Sequence, residues 1–217
     1  MKPILQIALD LTDLFKAIEI ATSIVKNFGC SNIWIEAGTP LLKSWGKIVV
    51  KSLKELTNCF IVADTKTMDT GGLEAEIFYK AGADAVTVLG VSDNETILDA
   101  LSKAREYGRR VIVDLINHPA PYERAIELSN MNIDIILYHI GVDVQRKRGL
   151  TAIDLIQELK SIRDKVSCKL AVAGGIKHGD ARKLVDIGVD IIIVGGAIVK
   201  SDNPVESTRK FLEEILY

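Results

Sequence analysis

Residues 61–72 read IVADTKTMDTGG. An apolar run ends in Asp64, Lys66 and Asp69, so an ammonium sits between two carboxylates where a buried strand leaves the core. Short apolar runs rich in Ile and Val, bounded by turn residues, are the mark of strands buried on both faces. On a solvated helix such charges would mean little. At the end of a buried strand they need a reason.

Working outward, similar runs recur along the chain: ILQIALD (4–10), IWIEAG (33–38), FIVADTK (60–66) and AVTVLG (85–90), then RVIVDLI (110–116), IDIILYHIG (133–141), LAVAGG (170–175) and IIIVGG (191–196). Between them lie helical patterns such as LFKAIEIATSIVKNFG and ARKLVDIG, with apolar residues at helical spacing and Gly near the end. Alternating strands and helices predict parallel strands joined by right-handed crossovers. Eight such units predict a closed (β/α)8 TIM barrel, an α/β fold, as a single domain over residues 1–217. A doubly wound open sheet is the runner-up, but no GxGxxG turn follows the first strand. The segment containing VDVQRKRGLTAID is longer than the other connections and predicts an extended loop after the sixth strand.

Composition narrows the function. The formal net charge of −2, without a basic stripe or acidic tail, argues against nucleic acid and membrane surfaces as partners. The cysteines, Cys30, Cys59 and Cys168, are odd in number and widely spaced, supporting neither a disulfide framework nor a zinc knuckle. The start, MKPILQIALD, lacks a signal-peptide pattern, and no stretch is long enough to span a bilayer; the expected location is cytoplasmic.

Barrel enzymes carry their chemistry at the C-terminal ends of the strands. Those ends hold Asp10, Glu36, the Asp64/Lys66/Asp69 group, Asp114 and His139. Each has a plainer explanation: Asp10 as a helix cap, Glu36 as an ion-pair partner of Lys66, Asp114 as a cap or supporting acceptor, His139 as a structural histidine. Together they outweigh it, because so many ionisable groups at one rim need partners or ligands. Gly174–Gly175 and Gly195–Gly196 follow the last two strands, where glycine backbone can approach a phosphate closely. Lys66 between carboxylates can hold an anionic intermediate or deliver a proton. Glu36 and Asp64 supply hard oxygens suited to Mg²⁺, which takes one or two carboxylates together with substrate oxygens.

In order and along the whole chain, LQIALD, IEAGTPLL, ADTKTMDTGG, AGADAVTVLG, VDLI, HIGVDVQ, AVAGGI and VGGAI resemble the orotidine 5′-monophosphate decarboxylase suprafamily, most closely its 3-hexulose-6-phosphate synthase branch. The resemblance implies a reversible Mg²⁺-dependent aldol reaction of D-ribulose 5-phosphate with formaldehyde, giving D-arabino-hex-3-ulose 6-phosphate through an enediolate. It implies Glu36 and Asp64 as metal ligands, Lys66 as the group that stabilises the enediolate, and His139 as a proton carrier. Asp10 would bind substrate hydroxyls, and either Lys66 or His139 would take the first proton. It also implies a homodimer with shared sites, Asp69 reaching into the partner's site. Glu36, where the orotidine decarboxylases carry Lys, argues against that activity. Val142, where the 3-keto-L-gulonate 6-phosphate decarboxylases usually carry Arg, separates the chain from that alternative. Many relatives have Arg where Gly196 stands, which leaves Lys177 or Lys200 to support backbone amides at the phosphate. A barrel that binds a sugar phosphate without turnover is the alternative of another class, and would be marked by a lost metal ligand or Lys.

Overall fold

A computed structural model describes residues 2–217. Its strands are β1 Ile4–Leu9, β2 Ile33–Ala37, β3 Phe60–Thr67, β4 Ala85–Leu89, β5 Arg110–Asp114, β6 Ile135–His139, β7 Lys169–Ala173 and β8 Ile191–Val194. Each pairs in parallel with the next, and β8 closes on β1, giving the eight-stranded TIM barrel that the sequence predicts. The helices are α1 Leu14–Phe28, α2 Thr39–Trp45, α3 Lys47–Thr57, α4 Gly71–Lys80, α5 Asn94–Tyr107 and α6 Pro121–Asn130. They continue with α7 Val142–Arg148, α8 Ile156–Arg163, α9 Ala181–Asp186, α10 Gly196–Val199 and α11 Pro204–Leu216. The cap of α1 is Asp13, whose Oδ1 accepts the Lys16 N–H at 3.1 Å, so Asp10 is free of that task.

The two-residue period of a strand divides its side chains between the barrel interior and the helix layer. Ala8, Trp34, Val62, Ala85, Ile112, Ile135, Leu137, Ala171, Ala173, Ile191 and Ile193 pack inside the barrel. The larger core lies between the strands and the helices, with Leu5, Ile7, Leu9, Ile35, Ile61 and Val113 facing outward into it. Two residues beyond the inward rows, at the C-terminal rim, come Glu36, Asp64, Asp114 and His139.

The N-terminal rim is tied differently. Asp84, Asp134 and Asp190 each precede an even-numbered strand and accept a backbone N–H from the strand before it: Ile61 at 2.8 Å, Val111 at 3.2 Å and Leu170 at 2.9 Å. Asp84 also pairs with Lys54 at 2.8 Å and with Arg109, and Asp190 pairs with Arg163 at 2.9 Å.

Two expectations need correction. The segment after β6 is not an extended loop: Val142–Arg148 is helical and is followed by a 3-10 turn, Ala152–Leu155, capped reciprocally by Thr151 and Asp154. Asp143 in the first turn and Arg146, Lys147 and Arg148 in the last suit the helix dipole, and Gly149, at φ 67°, ends the helix. Secondly, Cys30 and Cys59 form a disulfide, with a Cα–Cα distance of 5.2 Å. Each cysteine lies just before one of two neighbouring parallel strands, β2 and β3, so the fold brings together residues that are 29 apart in sequence.

Closing a loop of that length constrains the unfolded chain by about 3–4 kcal/mol. Reduction, or the double change Cys30→Ser with Cys59→Ser, is therefore expected to lower the thermal midpoint by roughly 6–15 °C in a calorimetric scan.

Candidate active site

The C-terminal mouth of the barrel opens into a cavity of about 740 Å³. Asp10, Glu36, Asp64, Lys66, His139, Gly174, Gly175, Gly195 and Gly196 all line it. Of the other rim residues, Asp114 is fully buried and, like Asp69, is not part of the lining. Asp69 lies outside its own chain's cavity, exposed in the loop after β3, where its Oδ1 accepts the Thr70 N–H at 2.7 Å.

The centre is Asp64. Lys66 Nζ donates to its Oδ1 at 2.9 Å and its Oδ2 at 2.7 Å, Thr87 Oγ1 donates to Oδ1 at 2.8 Å, and Thr39 Oγ1 donates to Oδ2 at 2.6 Å. This network sits at an irregularity in β3. The pairing with β4 shifts register between Ala63 and Thr67, and Lys66 takes φ 47°, a left-handed conformation that costs a non-glycine residue about 1–2 kcal/mol. The Lys66 N–H donates to Thr87 Oγ1 at 2.9 Å, fixing the bulge to the next strand.

From there the network runs to Asp114, which is fully buried. Its Oδ2 meets Lys66 Nζ at 3.3 Å and His139 Nδ1 at 2.9 Å, and its Oδ1 accepts the Ile116 N–H at 2.9 Å. Burial opposes charge on Asp114, but His139, Lys66 and the Ile116 N–H outweigh it and hold its pKa below the ordinary value. Burial likewise opposes charge on Lys66, and the Asp64 and Asp114 carboxylates reverse that and raise its pKa. Lys66 is a firmly held ammonium.

Asp10 and Glu36 are in the opposite position. Burial, then the Asp64 charge, raises the pKa of Asp10; burial, then Asp64 and Asp10, raises that of Glu36 well above its ordinary value. Carboxylates crowded without enough cation fit a hard divalent ion, which would relieve their mutual repulsion. Glu36 Oε2 takes one hydrogen bond, from Gln6 Nε2 at 2.5 Å, and no donor among the described residues meets its Oε1. Among the described residues no group of three or more His, Cys, Asp or Glu side chains forms a metal cage. A two-carboxylate set, with the remaining positions left to water and substrate, suits Mg²⁺.

Part of the cavity wall is glycine backbone. Gly174 and Gly175 have φ 119° and 70°, and a Cβ at Gly174 would come within 2.6 Å of the Ile140 carbonyl oxygen. Arg146, Lys177 and Lys200 also line the cavity. Bare backbone and cations are groups that suit an anion.

Sequence reading undervalued Asp114 and missed Gln6, Thr39 and Thr87. Gln6 and Thr87 carried a usable signal: each is a polar residue in the inward-facing row of an apolar strand.

Comparison with known proteins identifies the family. Residues 3–211 match the orotidine 5′-phosphate decarboxylase / HUMPS family model. The chain belongs to this family. Within the family, it is 35% identical over 207 residues to a 3-hexulose-6-phosphate synthase of Staphylococcus epidermidis, covering 95% of each chain. The crystal structure of 3-hexulose-6-phosphate synthase from Salmonella typhimurium superposes with a TM-score of 0.89 at 36% identity, covering 100% of this chain and 99% of that one. The crystal structure of KGPDC from Streptococcus mutans gives a TM-score of 0.89 at 27% identity, covering 98% of this chain and 97% of that one. No described helix of this family member is long and apolar enough to cross a membrane.

The raised pKa of Glu36 has a consequence for stability. Protons leave the unfolded chain first, so the ionised group costs folding free energy increasingly as pH rises above its ordinary value of 4.5. Glu36→Gln is expected to raise the melting temperature at pH 7, a gain on the order of 1 kcal/mol. The gain should shrink as the pH falls toward 4.5, which melting curves across that range will check.

Proposed function

We propose that the chain is a 3-hexulose-6-phosphate synthase, a lyase of the aldolase type that joins formaldehyde to D-ribulose 5-phosphate. One observation carries this reading: the Asp64–Lys66–Asp114–His139 chain of contacts, set beside a glycine-walled anion pocket in a single cavity. Identity to named synthases over nearly the full length supports it.

In this reading the phosphate rests against Gly174, Gly175, Gly195 and Gly196, and Lys177 and Lys200 supply charge where position 196 has no side chain. The sugar end then lies over Asp10, Glu36, Asp64 and Lys66. Glu36 and Asp64 would hold Mg²⁺, which when bound polarises the substrate's carbonyl and hydroxyl oxygens. Ionised Asp114 accepts from His139 Nδ1, which leaves Nε2 as the basic nitrogen. His139 therefore takes the C1 proton, and Lys66 stays charged to stabilise the enediolate. C1 attacks the formaldehyde carbon, the formaldehyde oxygen takes up the proton that His139 holds, and C2 returns to a ketone as C3 of the hexulose phosphate. Asp10 accepts hydrogen bonds from substrate hydroxyls.

Asp69 serves the site of a second copy. It is exposed beside Met68, Leu73 and Ile77, large apolar residues that a partner would cover.

Pure protein given ribulose 5-phosphate and Mg²⁺ is expected to consume formaldehyde, and to stop when EDTA is added. Loss of CO₂ from 3-keto-L-gulonate 6-phosphate in place of formaldehyde turnover would transfer the assignment to the decarboxylase. Lys66→Ala should fold and lose on the order of 10³-fold in kcat; a variant of full activity would refute its role. Asp69→Asn homodimers should be inactive, and subunit exchange with Lys66→Ala should restore part of the activity. If exchange is shown and nothing returns, the sites are not shared.

A further inference from the structure

Gln6 lies on β1 inside the barrel, 1% exposed, between Ile4 and Ala8 on its own strand. Its neighbours across the ladder are Trp34 and Ile193. An apolar side chain would suit that setting. The amide instead leaves its own Oε1 buried with no hydrogen-bond partner, a costly state for a polar atom in a barrel core. What it gains is on the other side: Gln6 Nε2 donates to Glu36 Oε2 at 2.5 Å, and Glu36 has no other hydrogen-bond donor among the described residues. Turning the amide over would set Oε1 against a carboxylate oxygen, so the orphaned carbonyl follows from making the donation.

We infer that Gln6 is a positioning residue, which pins Glu36 Oε2 from below the site and so presents Oε1 to a divalent cation at the barrel mouth. The inference rests on the proposed role of Glu36 in holding that cation. Supports of this kind orient a metal ligand, and their removal typically weakens metal binding by roughly 10–100-fold. The rest of the ligand set has its own supports: Asp64 is held by Thr39, Thr87 and Lys66. Gln6 supplies the corresponding restraint for Glu36 from one strand away.

The test is a titration of the intact protein with Mn²⁺, followed by electron paramagnetic resonance, for wild type, Gln6→Leu and Gln6→Met. Each is read at a temperature where circular dichroism shows it folded. Both variants are expected to bind Mn²⁺ roughly 10–100-fold more weakly. Unchanged Mn²⁺ affinity in either variant overturns the positioning role. So does failure of both variants to fold, which would make Gln6 a structural residue. If wild-type protein binds no Mn²⁺, the metal-holding role of Glu36 fails and this inference with it.

Discussion

Lys66 reaches both oxygens of Asp64 from two residues further along the same strand. The contact sits at the register shift in β3 and the left-handed backbone of Lys66, where the Thr87 hydroxyl accepts the Lys66 N–H. Once the ammonium is there, its neighbours follow. Asp64 keeps a fixed orientation, Asp114 is held ionised in a fully buried position, and His139 gains an acceptor that orients its ring. Without the ammonium, Asp64 and Asp114 would be buried charges with too few partners. The ion pair therefore sets the electrostatics of the mouth, and also explains why strain at Lys66 is tolerated there.

The cavity is mixed in character: carboxylates, two of them raised in pKa, share its lining with glycine backbone and cations. A Cβ at Gly195 would come within 3.1 Å of Asp10 Oδ2, so the two kinds of wall meet directly.

Much of this could be read in the sequence because a parallel barrel converts a linear pattern into a location. Runs such as IWIEAG and FIVADTK fix both the strand and its upper end, so Glu36 and Asp64 could be placed at one rim from the pattern alone. Three things could not be read this way. The bulge at Lys66 lies in how β3 pairs with β4, which the pattern of one strand does not show. Asp114 looks like any strand-end acid until its two partners, from β3 and β6, are brought to it. The Cys30–Cys59 bond depends on the closeness of the lower ends of β2 and β3, which spacing along the chain conceals.

The girdle at the lower rim, with Asp84, Asp134 and Asp190 clasping neighbouring backbones and the disulfide beside β2 and β3, shares no residue with the upper network. The strand bodies between the rims are packed mainly with apolar side chains. The molecule thus has two nearly separable parts. Its tolerance of heat can drift through changes at one end while its chemistry drifts at the other. A lineage moving between habitats could retune the floor of the barrel without re-solving the problem at its mouth.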